Sequence, residues 1–335
     1  MKRKVAKLIK PTEFEIVEEE IRPLKNTEIL VEIASCGICH SEMAVYEGKR
    51  PGMAFNVETL EGYELPKITF PLELGHEPAG KIIDKGKLVT KFEVEDRITG
   101  LAMGAFASHV IMDGCQSRLV KVPENVSLKY ALGEPLMCIS NIVRQATPEF
   151  GECVMVIGCG FMGLLTICGI SSKQIKELIA VDILDWRLDL AKKYGATKTI
   201  NPTKCDFGKY IQEITSGHGV DVVIEITGKM SVIDLALKAI RTSRGKILLP
   251  SYYGIAEKID VGFDLMMKAP ILISAHPAYS TNYMEDLNRG MWGYENGIFP
   301  MNELITHSFS LEDINKAFKI AKEGADNVIK AIINP

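Results

Sequence analysis

The pattern of apolar and polar positions changes character near the middle of the chain. Before residue 140 the apolar residues come in short runs broken by turns. Glu28–Ala34 (EILVEIA) alternates polar and apolar as a half-buried strand does, and Lys81–Asp84 and Ala107–Met112 repeat that signal. From Glu152 the rhythm becomes strand, helix, strand, helix. Cys153–Ile157 reads as a buried strand, Phe161–Ser172 as a glycine-tolerant helix, Glu177–Asp182 as a strand and Asp185–Tyr194 as an amphipathic helix ending at Gly195. Val220–Ile226, Ser231–Thr242 and Gly245–Pro250 continue the series as strand, helix and strand. Such alternation builds a parallel sheet covered on both faces. Ile271–Ser274 reads as a last strand, Tyr279–Phe299 as irregular, Leu311–Lys322 as a helix and Val328–Ile333 as a closing strand. This tail lacks the alternation and is expected to rejoin the first part of the chain.

Composition narrows the class without naming a chemistry. With 335 residues, 47% hydrophobic and 24% charged, the chain is an ordinary globular one of about two domains. The net charge of −4 is spread without blocks, which gives a nucleic acid or an anionic membrane no electrostatic purchase. No uncharged apolar stretch reaches a membrane-spanning length, and Met1–Lys10 has no apolar core of signal-peptide type. Eight cysteines with only one CxxC pair, Cys36 and Cys39, suit a reduced cytoplasmic protein better than a disulfide scaffold.

Two places carry candidate chemistry. The first is Gly158-Cys159-Gly160-Phe161-Met162-Gly163, a G-x-G-x-x-G run between a buried strand and a helix. An acid, Asp182, ends the next strand about 20 residues on, where a ribose-binding carboxylate belongs. Gly158 permits the tight turn, Gly160 lets the backbone approach a pyrophosphate, and Gly163 lets helix and strand pack closely. The helix N-terminus then offers N–H groups to the phosphates. An acid at 182 accepts from a ribose 2′-hydroxyl and repels a 2′-phosphate, favouring NAD over NADP. Arg187, one turn into the next helix, either reaches the adenosine side or is a plain surface arginine.

The second place is spread over three segments: Cys36-Gly37-Ile38-Cys39-His40-Ser41-Glu42, Gly75-His76-Glu77 and Glu134-Pro135. A thiolate, an imidazole and one or two carboxylates make a three-ligand set with an open position, as a catalytic zinc requires. His76-Glu77 is followed by Pro78, so it is not the helical H-E-x-x-H of a metalloprotease. A Cys36/Cys39 redox pair lacks the thioredoxin-like surroundings it would need.

In their order and spacing, the CGICHSE, GHE and GEPL segments and the glycine-rich turn resemble the zinc-dependent medium-chain alcohol dehydrogenase family across essentially the whole chain. The resemblance implies that Cys39 is the zinc thiolate and Cys36 is not, that His76 is the imidazole ligand, and that Glu77 and Glu134 take the third position or hold the zinc-bound water. Glu134 within an EPL sequence looks like the sorbitol and threonine dehydrogenase branches. Ser41 matches the hydroxyl that bonds the substrate alcohol, and Glu42 an acid that orients a metal ligand. His40 either faces the cofactor pyrophosphate, shares in proton exit or sits at the surface.

Three departures qualify the match. The four-cysteine structural-zinc lobe is missing, since Asp96–Gly104 runs DRITGLAMG, so one zinc per chain is expected. Ala44 stands where a relay histidine often lies, so protons need another exit. The span from Cys39 to His76 is longer than usual, and its extra stretch, 49–69, is expected to be a substrate-cleft loop or a subunit contact.

The implied architecture is α/β: a mostly-β GroES-like catalytic domain from residues 1–145 plus 276–335, with a doubly wound Rossmann domain inserted at 146–275. The implied activity is zinc-dependent hydride transfer between NAD(H) and a secondary alcohol of a polyol, sugar or related molecule. Rival readings are a threonine-type amino-alcohol dehydrogenase, an aldehyde reductase, or a nucleotide-binding protein without catalysis. The apolar strand Ile271–Ser274, at the expected sheet edge, points to a homodimer or homotetramer.

Overall fold

The computed structural model describes residues 1–49, 68–115, 118–251, 262–277, 280 and 282–335. The expectation for stretch 49–69 lies almost wholly outside these residues. The chain divides into two compact units, Met1–Met137 with Leu287–Pro335, and Cys138–Asp286.

The first unit is built on antiparallel strands. β1 (Lys2–Lys10) is lysine-rich, β2 (Glu13–Glu20) is glutamate-rich, and the two pair antiparallel. Opposite charges face each other across the ladder, including Lys2 Nζ to Glu18 at 2.7 Å. Val5, Ala6 and Leu8 are fully buried in the core. β3 (Glu28–Gly37) follows, then β4 (Leu72–Glu73), β5 (Glu77–Lys85), β6 (Arg97–Leu101), β7 (His109–Asp113) and β8 (Arg118–Lys121). β3 is the spine. It pairs antiparallel with β5 and β7, and its register sets Gly37 opposite Glu77 and Cys36 opposite Pro78. Those pairings bring two segments far apart in sequence to the same end of one ladder.

The second unit holds a six-stranded sheet in which every pairing is parallel. Its strands are β9 (Cys153–Ile157), β10 (Glu177–Val181), β11 (Lys198–Ile200), β12 (Val222–Glu225), β13 (Lys246–Leu249) and β14 (Ile271–Ser274), in the order β11-β10-β9-β12-β13-β14. β9 and β12 are buried along their whole length, as covering helices on both faces require. The order, with crossovers on either side of β9, is the doubly wound arrangement expected from the alternation. The short elements at 198–200 and 207–214 were not legible in the sequence, being a three-residue strand and an amphipathic helix of only eight residues (Phe207–Ile214).

The tail returns to β3. β15 (His307–Ser310) pairs parallel with β16 (Ala331–Asn334), and β16 pairs antiparallel with β3, Ile332 opposite Gly37 and Ile333 opposite Cys36. One expectation fails here. Tyr279–Phe299 was expected to be irregular, and Tyr283–Glu295 is instead an α-helix. Its apolar stripe, Leu287, Met291 and Tyr294, is buried at helical spacing. Gly290 and Gly293 hide that period in the sequence. They sit in the helix because a Cβ would strike the Leu136 backbone or the Phe299 ring.

Candidate metal centre and dinucleotide turn

The end of β3 leads into a single 3₁₀ turn, His40–Glu42, for which Cys39 is the N-cap residue. Glu42 closes the turn by reaching back, its Oε2 accepting from the Cys39 N–H at 3.2 Å. The same buried carboxylate accepts from the Gly75 N–H at 2.7 Å and meets His76 Nδ1 at 3.0 Å. One acid therefore joins the turn that carries Cys39 to the strand start that carries His76 and Glu77. The Cys39 thiolate, the His76 imidazole and a Glu77 carboxylate oxygen lie within 4.8 Å of one another.

The donors fit a zinc ion. Sulfur, nitrogen and oxygen ligands in a set of three match an open catalytic site. His76 is 2% exposed, its Nδ1 is engaged by Glu42, and its Nε2 is buried without a hydrogen-bond partner. A buried, unpartnered imidazole nitrogen is costly unless something binds it. Burial alone lowers the His76 pKa, but the Glu42 carboxylate and the Cys39 thiolate outweigh it, and the net shift is upward. The pocket is thus a place that attracts positive charge.

The other predicted residues fall around this trio. Ser41 is half-buried and its Oγ lies 3.3 Å from Cys39 Sγ. His40 is exposed at the start of the turn. Glu134 is buried in the first turn of the helix Gly133–Ala146, outside the trio. Cys36 is fully buried, and burial pushes its thiol pKa far up, which suits a packing residue and not a reactive thiolate. Sequence reasoning missed Lys330. It is 6% exposed, and its Nζ donates to Ile38 O at 2.9 Å and meets the Glu77 carboxylate at 2.8 and 2.6 Å. The signal available was a single lysine inside an apolar run, Val328-Ile329-Lys330-Ala331-Ile332-Ile333.

In the second unit the glycine run forms a tight turn between β9 and the helix Phe161–Ser171. Gly158 has φ +101°, and a Cβ on Gly163 would overlap the Gly158 carbonyl. Gly160 is the helix N-cap, with open space where its Cβ would point, and Phe161 and Met162 open the helix. Asp182 follows β10, buried, with Oδ2 accepting from Cys159 N at 2.7 Å and Oδ1 from Leu184 N at 2.9 Å. It therefore clamps the glycine turn, a structural duty that spacing alone did not reveal. Arg187 lies 4.0 Å from that carboxylate, its cation 5.2 Å from the Trp186 ring centroid, and its buried Nε has no hydrogen-bond partner.

Comparison with known proteins agrees with this picture. Residues 25–130 match the model of the alcohol dehydrogenase GroES-like domain, and residues 162–280 that of the zinc-binding dehydrogenase domain. An erythritol/L-threitol dehydrogenase of Mycolicibacterium smegmatis is 26% identical over 96% of this chain and 95% of its own. An L-threonine 3-dehydrogenase of Symbiobacterium thermophilum is 26% identical, covering 90% of this chain and 89% of its own. The solved fold of 2R,3R-butanediol dehydrogenase from Bacillus subtilis superposes with a TM-score of 0.82 at 23% identity, covering 99% of each chain. A GroES-like domain followed by a zinc-binding dehydrogenase domain, with dehydrogenases matching nearly end to end, places this chain in the zinc-dependent medium-chain alcohol dehydrogenase family.

Proposed function

We propose that this dehydrogenase oxidises the secondary hydroxyl of a polyol, sugar alcohol or similarly polar small molecule, with NAD as hydride acceptor and one zinc per chain. The observation that carries the reading is the trio Cys39, His76 and Glu77, with the buried His76 Nε2 left without a partner. Cys39 and His76 hold the zinc, and Glu77 or Glu134 supplies the carboxylate. When bound, the zinc acts as a Lewis acid toward an alcohol, and the nicotinamide accepts the hydride. Glu42 keeps the His76 ring oriented through Nδ1. Ser41 Oγ bonds the substrate hydroxyl and takes its proton outward. With Ala44 in place of a relay histidine, exposed His40 and water are the exit on offer.

Gly158, Gly160, Phe161, Met162 and Gly163 cradle the pyrophosphate at the helix N-terminus. Asp182 bonds the ribose and disfavours a 2′-phosphate, and Arg187 lines the adenosine side. The polyol preference leans on the erythritol/L-threitol dehydrogenase relative. The threonine dehydrogenase relative favours an amino-alcohol substrate as the second reading. Both are tested by one experiment: turnover of polyols, L-threonine and aldehydes, followed by NADH absorbance, with zinc measured on the same preparation. Polyol turnover with about one zinc per chain is expected. Threonine turnover alone transfers the reading to the amino alcohol, and a metal-free, inactive protein overturns it.

Two coarser features extend the proposal. β14 ends the parallel sheet among the described residues, and Ile271 and Leu272 on it are 52% and 50% exposed. An apolar edge strand invites a second copy, so the chain works as a homodimer or homotetramer. All eight cysteines are free thiols and no helix among the described residues is long and apolar enough to cross a membrane, which supports a cytoplasmic enzyme.

A further inference from the structure

We propose that Lys330 is a positioning residue for the metal centre, delivered by the C-terminal segment to lock the Glu77 carboxylate and the Cys39 turn into one charged unit. The proposal rests on the reading of Cys39, His76 and Glu77 as zinc ligands.

The geometry is unusual for a lysine. Its ammonium is buried; it donates to Ile38 O at 2.9 Å and to Glu77 Oε1 at 2.8 Å, and it lies 2.6 Å from Glu77 Oε2, a buried oxygen with no hydrogen-bond partner of its own. Ile38 immediately precedes Cys39, so this one ammonium ties together the two segments that carry a thiolate and a carboxylate. The lysine is itself anchored. Its carbonyl accepts from Thr306 N at 3.0 Å and His307 N at 3.1 Å, and the next residue, Ala331, accepts from Ile38 N at 3.0 Å. Gly37 completes the cradle. A Cβ there would overlap Glu77 Oε2 and sit 3.0 Å from Lys330 Cε, so the ladder has been left bare where carboxylate and ammonium meet.

Charge explains why such a lysine belongs here. The Cys39 thiolate and the Glu77 carboxylate bring two negative charges into a buried site, and Lys330 returns one positive charge. A buried carboxylate with no partner costs several kcal/mol, so without the lysine Glu77 would swing away from the site. Held by Lys330, it is fixed in direction. A zinc ion held there would meet a carboxylate already in place. The segment Val328–Ile333 is thus more than a closing strand of the sheet.

The test uses the full-length protein loaded with zinc or with cobalt(II), whose visible bands report ligand geometry. Wild type, Lys330→Met, Glu77→Gln and the double variant are compared by chelator competition and by cobalt spectrum, with far-UV circular dichroism as the folding check. Lys330→Met is expected to weaken zinc binding by roughly tenfold or more and to shift the cobalt bands. In the Glu77→Gln background the same substitution is expected to have a clearly smaller effect on both, since only the bond to Ile38 is then left to lose. The double variant has no orphaned buried charge, so it keeps the test alive if Lys330→Met does not fold. Unchanged affinity and spectrum in Lys330→Met, or an equal loss in both backgrounds, overturns the inference while leaving the zinc site standing. A wild-type protein that takes up no metal overturns the site reading itself.

Discussion

Glu42 ties the candidate centre together, because two backbone N–H groups and His76 Nδ1, from two segments, converge on one buried carboxylate. Removing it frees the His76 ring to rotate and loosens the Cys39 turn. Glu42→Ala is expected to lower zinc affinity by about 10–100-fold, measured by competition with a chromogenic chelator. Wild-type affinity would show that the 3₁₀ turn holds itself. A second carboxylate acts on stability. Glu28 accepts from both Arg22 guanidinium nitrogens, at 2.6 and 2.8 Å, and from Lys25 N, chiefly the arginine bonds holding its pKa at about 2 against an ordinary 4.5. A lowered carboxylate pKa adds stability above the unfolded value and loses it as the pH falls toward the folded one. Wild type should therefore melt above Glu28→Gln at pH 7, with the gap closing between about pH 4.5 and 2. A gap independent of pH would exclude the ion pair as its source.

Among the elements, the glycine turn and the aromatic cluster behind the metal turn make the sharpest demands. A side chain at 163 meets the Gly158 carbonyl, so the helix Phe161–Ser171 cannot accommodate it without moving its N-terminus off the phosphate position. Gly163→Val is expected to weaken NADH binding by at least tenfold, about 1.4 kcal/mol, in a fluorescence titration, with zinc content unchanged. In the first unit, Phe318 lies 4.8 Å from the rings of Phe14 and Tyr46 and 5.5 Å from that of Phe106. Tyr46 ends the short helix Met43–Tyr46 that follows the metal turn. Phe318→Ala is expected to cost about 3–5 kcal/mol in denaturant unfolding, since three rings lose a neighbour and a cavity opens. A cost under about 1 kcal/mol would mean that the cluster collapses onto the gap.

At the scale of the whole molecule, the exposed edge β14 decides whether the chain works alone. A lysine on an apolar edge strand blunts pairing with a second copy. If the proposed oligomer forms through this edge, Ile271→Lys lowers the mass seen in light scattering to that of a monomer without changing zinc content; an oligomer of unchanged mass would move the interface elsewhere, and a monomeric wild type would overturn it. The sequence carried a large part of this picture. The βα alternation after Glu152 predicts a parallel sheet because strands buried on both faces read as unbroken apolar runs. The glycine run and the Cys–His–Glu segments are legible because tight turns and metal ligands admit few residue types. What stayed illegible has a common cause. The helix Tyr283–Glu295 is masked by glycines whose purpose is close packing, Asp182 doubles as a clamp on a turn it does not adjoin in sequence, and Lys330 reads as a polar break in a strand. Each depends on a partner far along the chain. The sequence by itself determined most of the elements, the residue types and the family, since periodicity and local spacing are properties of neighbouring residues. Only the tertiary structure decided that Gly37 faces Glu77, that Glu42 holds His76 and that Lys330 completes the site, because strand register and buried charge pairing exist only once distant segments are packed together.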